Sequence, residues 1–101
     1  MIRGTTPTLR FTMPYKAEQI KSGYITFTAQ GNVLLDIPVN DTSVKITDGF
    51  ISLTLTQQQT LMFKSCLLNL VQLRLVLNDN SVVASNIVKI SVENILKDGE
   101  I

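Results

Sequence analysis

The stretch from Leu67 to Val92 constrains the fold more than any other part of the chain, because it sets two apolar runs on either side of Asn78, Asp79 and Asn80. Val71, Leu73, Leu75 and Leu77 fall on one side of an extended strand and Gln72, Arg74 and Asn78 on the other. That period of two marks a half-buried strand, and the polar triplet after it predicts a β-hairpin. Leu68, Leu70 and Val76 lie on the face opposite Val71, Leu73 and Leu75, so the strand is apolar on both sides over part of its length. Its inner side fills a core. Its outer side calls for a cover, either a neighbouring segment or a partner, because monomers rarely leave a contiguous apolar patch exposed.

The rest of the chain repeats the pattern in shorter pieces. Leu9, Phe11 and Met13 alternate with Arg10 and Thr12 as a first strand, which Pro14 ends because it has no amide hydrogen for a sheet. Tyr15 to Ser22 is more polar and predicts one helical turn before Gly23. Tyr24 to Thr28 supplies β-branched and aromatic residues, Gly31 and Asn32 form a turn, and Val33 to Ile37 returns, with Pro38 marking a strand end or a sheet edge. Val44 to Thr47 and Phe50 to Leu55 flank Asp48-Gly49, a pair suited to the positive φ angles of a tight hairpin. Thr56 with Gln59 three residues later makes a capping box, and predicts a short helix from Gln57 to Lys64 that carries the chain over to the final hairpin. The expected fold is all-β: an immunoglobulin-like antiparallel β-sandwich of about seven strands with one short crossover helix. The buried tryptophan and paired cysteines of antibody domains are absent, so that likeness is one of architecture. At 101 residues one domain is expected over 1–101, with an N-terminal arm over 1–7 and a C-terminal tail over 94–101.

Catalytic chemistry finds little footing in these residues. The chain has no histidine, which removes the usual general base and the commonest metal ligand. Its single cysteine, Cys66, has only Lys64 as a nearby cation and precedes Leu67 and Leu68, so it reads as a small buried apolar residue. The aspartates sit mostly at predicted turns, where they bond the backbone; a calcium site built on Asp41 and Asp79 is a weaker alternative. The glycines are isolated and make no phosphate cradle. No enzyme activity, cofactor or metal is therefore expected. Nine lysines and arginines against eight aspartates and glutamates, spread along the chain, give no basic stripe for nucleic acid and no field toward an anionic membrane. Met1 to Arg10 lacks the apolar core of a secretory signal, and Leu67 to Leu77 is interrupted by Asn69, Gln72 and Arg74. A soluble chain made in the cytoplasm is expected.

Three stretches carry a resemblance: Arg3-Gly4-Thr5-Thr6-Pro7-Thr8, Val83-Ala84-Ser85-Asn86-Ile87-Val88, and Ile95-Leu96-Lys97-Asp98-Gly99-Glu100-Ile101. In order and position they resemble small immunoglobulin-like proteins encoded in the structural-gene regions of tailed phages and prophages of Gram-positive (Firmicutes) bacteria. The likeness runs end to end, although Tyr15 to Leu55 carries no matching motif and no functional residue transfers. It implies a virion component, assembled in the host cytoplasm, in the tail or baseplate or on the capsid exterior. Its partners would be other virion proteins or further copies of itself. The residues expected to make such contacts are Ile2 and Arg3 in the arm, Leu68, Leu70 and Val76 on the outer strand face, and Ile95, Leu96 and Ile101 in the tail. The rival is a carbohydrate- or host-surface-binding sandwich, which would need Tyr15, Tyr24 and Phe50 exposed together.

Overall fold

Local alternation becomes two sheets in the computed structural model, which describes residues 1–65 and 67–101. The expectation that Cys66 is buried lies outside the described residues. The smaller sheet holds β1 (Thr8–Thr12), β5 (Phe50–Thr54) and β4 (Val44–Thr47), in that order. The larger runs β3 (Asn32–Pro38), β2 (Ile20–Ala29), β6 (Asn69–Leu77), then β7 (Val82–Ala84) and β8 (Val88–Ile90), which both pair with β6. All pairings between these strands are antiparallel. The chain crosses between sheets three times, from β1 to β2, from β3 to β4 and from β5 to β6. The fold is an all-β sandwich with one short helix, α1 (Gln57–Leu61), on the last crossing.

The inward rows close the sandwich. Ile25, Phe27 and Ile37 of the large sheet join Val71, Leu73 and Leu75 from β6 and meet Ile51 and Leu53 of the small one in a single buried cluster. Burying such side chains contributes about 1.5–3 kcal/mol each, the main force holding the sheets together. β2 and β6 share the longest ladder, and Gly23 is what lets them approach: a Cβ there would lie 2.4 Å from the Arg74 carbonyl oxygen. At the other side of β2, Pro38 ends β3 on the sheet's open edge, where its missing N–H costs no ladder bond.

Four details depart from the sequence reading. The polar segment after Pro14 makes only a 3-10 turn at Ala17–Gln19, and β2 already begins at Ile20, because Ile20 and Ser22 find partners in Leu77 and Val76 through a bulge. The β2–β3 turn sits on Gln30 and Gly31, both at positive φ, so that Asn32 is the first residue of β3. Helix α1 keeps its capping box, with Thr56 Oγ1 accepting from the Gln59 amide at 3.2 Å and Gln59 Oε1 accepting from the Thr56 amide at 2.9 Å. It ends at Leu61 rather than Lys64, since Phe63 turns into the core and meets Phe27 edge to face at 5.6 Å. Finally, the return arm of the last hairpin is broken in two, raising the strand count to eight. Ser85 causes the break: its hydroxyl accepts the Leu73 amide at 3.0 Å while its own amide donates to the Leu73 carbonyl at 2.8 Å, and the Gln72 side chain donates to its carbonyl at 3.1 Å. A serine side chain substituting for a ladder acceptor is the usual way such a residue interrupts a strand.

Candidate interaction surfaces

The outer face of the large sheet is read directly from its register. Ser22, Tyr24, Thr26 and Thr28 on β2 stand opposite Val76, Arg74, Gln72 and Leu70 on β6, and all point away from the core. Asp36 extends the Thr26 row onto β3, Val82 and Ala84 extend the Val76 and Arg74 rows onto β7, and Lys89 extends the Leu70 row onto β8. Leu70 and Val76 are half-buried on this face, and the neighbouring Leu68, just before β6, is exposed. Tyr24, Val33, Val82 and Ile87 are exposed as well, so the apolar character of β6 continues across its neighbours. A shallow depression of about 270 Å³ lies here, and Tyr24, Thr26, Asp36, Arg74, Val76 and Val82 are among the residues that line it. Asp36 is held by the Thr26 hydroxyl, which donates to Oδ1 at 2.8 Å.

The two termini form a second surface, and their backbones are tied down. Met1–Arg3 runs parallel to Ser91–Glu93: the Glu93 amide donates to the Met1 carbonyl at 2.8 Å and the Arg3 amide to the Glu93 carbonyl at 3.0 Å, with an Ile2–Glu93 bridge between them. The Arg3 guanidinium then reaches three acceptors, the carbonyl oxygens of Phe63 (2.6 Å) and Leu61 (3.0 Å) and Asn94 Oδ1 (2.8 Å). Leu61 is the last residue of α1, whose carbonyl the helix end leaves without an intrahelical partner, and Phe63 lies two residues past it. Arg3 also lies 3.5 Å from Asp98 Oδ1. Ile95 packs against Gly4, and the Ile101 amide donates to Gln57 Oε1 at 2.9 Å. Leu96 and Ile101 nevertheless hold their side chains in solvent, and Ile2 is partly exposed. Arg3 is thus a clamp between arm, helix and tail, while Ile2, Leu96 and Ile101 are the apolar groups these segments display.

The competing chemistries can be placed with equal precision. Asp41 and Asp79 each accept from a serine two residues on, Ser43 and Ser81, through both hydroxyl and amide. The serine hydroxyls, and after them the serine amides, hold both carboxyls below the ordinary range. These are closed turns. Among the described residues no group of three or more His, Cys, Asp or Glu side chains is placed to hold a metal ion. Of the aromatic rings, Tyr24 lies on the outer face of the large sheet, Phe50 on the outer face of the small sheet beneath the Arg10 guanidinium at 3.9 Å, and Tyr15 in the loop after β1; they do not share a face. Among the described residues no helix is long and apolar enough to cross a membrane. Searches against protein-family models, curated proteins and solved structures each return no match.

Sequence reasoning found Leu68, Leu70 and Val76 by periodicity and named Tyr24 only as an aromatic for the carbohydrate-binding rival, but missed Val33, Val82 and Ile87. The signal for Tyr24 was present in the alternation of Tyr24 and Thr26 with Ile25 and Phe27. Val33 could not be placed, because a bulge between Phe27 and Thr28 shifts its register.

Proposed function

We infer that this chain is a non-enzymatic component of a phage virion, structural or accessory, that acts through protein–protein contacts in the tail or baseplate or on the capsid exterior. The observation that carries the reading is the outer face of the large sheet, where Leu70 and Val76 lie among the exposed Tyr24, Val82 and Ile87. Tyr24, Val76 and Val82 on one side and Leu70 and Ile87 on the other make two apolar patches with Gln72 and Arg74 between them, and exposed apolar groups clustered in this way favour contact with another protein. The clamped termini support it, since they hold Leu96 and Ile101 outward on a fixed frame. The strand order is also compatible with an immunoglobulin-like sandwich: β1-β5-β4 corresponds to strands B-E-D and β3-β2-β6-β7 to C′-C-F-G. Such a frame serves repetitive assembly well, because weak contacts are multiplied by copy number. The carbohydrate-binding alternative would draw on Tyr15, Tyr24 and Phe50, and their separation onto different faces counts against a common stacking platform.

The test is mass spectrometry of gradient-purified particles from a host strain carrying the gene. The chain is expected in the particles at a fixed ratio to the other virion proteins. Its presence in the lysate but absence from the particles overturns the reading.

A further inference from the structure

In three places an aspartate or asparagine precedes glycine or serine: Asp48-Gly49, Asn80-Ser81 and Asp98-Gly99. In each, the backbone nitrogen of the second residue can reach the side-chain carbonyl carbon of the first, and glycine, with no Cβ, hinders that approach least. The fold treats the three differently. In the β4–β5 hairpin the Gly49 amide donates to the Tyr15 carbonyl at 3.0 Å and Asp48 Oδ1 accepts from the Ala17 amide at 2.8 Å, so nitrogen and carboxyl are both held. In the β6–β7 turn the Ser81 amide donates to Asp79 Oδ1 at 2.9 Å, and Asn80 Oδ1 accepts from Lys21 Nζ at 3.1 Å. The third pair is free. Among the described residues the Gly99 amide makes no hydrogen bond, and beyond its chain neighbours no atom lies within 4 Å of the place where a Cβ would stand. The Asp98 side chain is 80% exposed, and its one charged neighbour is Arg3, 3.5 Å from Oδ1.

We propose that Asp98-Gly99 is a site of spontaneous isoaspartate formation in the folded protein, and that Asp48-Gly49 is protected from the same reaction by its hairpin. The Gly99 nitrogen attacks Cγ of the protonated Asp98 carboxyl; the N–Cγ bond forms, the Cγ–OH bond breaks, and the amide proton leaves with the hydroxyl as water. The product is a five-membered succinimide. Water then opens the ring at either carbonyl. Addition at Cγ restores aspartate, whereas addition at the Asp98 main-chain carbonyl leaves the chain running through Cβ and Cγ, with the α-carboxylate as the new side group. One water is lost and one is gained, so no oxidant or further reactant enters. Isoaspartate adds one carbon to the backbone between Ile95, which packs on Gly4, and Ile101, whose amide donates to Gln57 Oε1 at 2.9 Å. It also moves the carboxylate from its place beside Arg3, while the three shorter Arg3 bonds do not involve Asp98 and remain.

The test incubates the full chain in heavy-oxygen water at mildly acidic pH, folded in one arm and unfolded in urea in the other. Digestion and mass spectrometry with electron-transfer fragmentation then tell isoaspartate from aspartate at each position, and every ring opening leaves one solvent oxygen in the residue. In the folded arm, label and isoaspartate are expected at Asp98 and not at Asp48. In the unfolded arm both positions should react, since the bonds that hold Gly49 and Asp48 are gone. Gly99→Val, at an exposed position away from the core, should lose the Asp98 signal in both arms and keep the Asp48 signal in urea. Asp48 serves as the internal check on folding, because its protection in the first arm reports an intact hairpin. A folded chain that stays unlabelled at Asp98 overturns the proposal, as does labelling of Asp48 as fast as Asp98 in the folded arm, or an Asp98 signal that survives Gly99→Val. None of these outcomes bears on the virion reading, which the particle analysis tests separately.

Discussion

Arg3→Ala separates a structural clamp from a contact residue, and its cost can be worked from the geometry. The substitution removes three hydrogen bonds, to Phe63 O, Leu61 O and Asn94 Oδ1, from a guanidinium whose side chain is 16% exposed. The Leu61 and Phe63 carbonyls accept part-buried bonds, and leaving such acceptors unpaired costs about 1–3 kcal/mol each, less where water reaches them. Asp98 is 80% exposed, so its ion pair adds well under about 1 kcal/mol. A total of about 3 kcal/mol is expected, out of the roughly 5–15 kcal/mol available to a domain of this size. In melting temperature that is a drop of about 12–24 °C. Thermal unfolding followed by circular dichroism measures it. Amide exchange adds local detail, since Arg3 and Glu93 should lose protection before the β2–β6 ladder does. Arg3→Lys should recover only part of the loss, because an ammonium cannot span three separated acceptors, and Asp98→Asn should cost about 0.5 kcal/mol or less. A melting temperature for Arg3→Ala within a few degrees of wild type would refute the clamp and return Arg3 to the set of free contact residues.

Gly23→Ala should destabilise by about 3 kcal/mol in urea unfolding, since the new Cβ meets a backbone carbonyl at 2.4 Å and β2 must move off β6. Gly31→Ala, with open space around the added carbon but φ at +83°, should cost only about 1 kcal/mol; equal losses would show that close approach is not what matters at Gly23. Asp41 and Asp79 have carboxyls held below the usual range by Ser43 and Ser81. Groups lowered in the folded state stabilise it above their unfolded values and lose that contribution as pH falls through the folded ones. Urea midpoints should therefore fall on acidification below the ordinary carboxylate range, and less so in Ser43→Ala/Ser81→Ala, whose carboxyl NMR titrations should move back toward ordinary values. Unchanged titrations in that variant would remove the serines as the cause.

Most of the fold was legible because period-two alternation and turn chemistry are local signals. The alternation of Val71, Leu73 and Leu75 with Gln72 and Arg74, the Asp48-Gly49 turn and the Thr56/Gln59 capping box all appear where residue types place them. What stayed hidden depends on partners distant in sequence. Ser85 breaks the last strand only because Leu73 stands opposite, and α1 ends early only because Phe63 has Phe27 to meet and Arg3 is there to take the freed carbonyls. The outer face was half legible. Periodicity named Leu70 and Val76, but which strands flank them, and hence the nearness of Tyr24, Asp36 and Val82, follows from strand order.

Strand order also fixes the spacing of the side chains on this face. Gly23 fixes the register of β2 on β6 by allowing one close approach, opposite Leu75, and a slip of one residue would turn every side chain on the strand to the other side. Asp36 is fixed in turn by its pairing with Thr26 and by the hydroxyl that holds its carboxylate. The spacing of Asp36, Tyr24 and Arg74 is therefore set by the same contacts that hold the core, and little ordering remains to be done when a partner arrives.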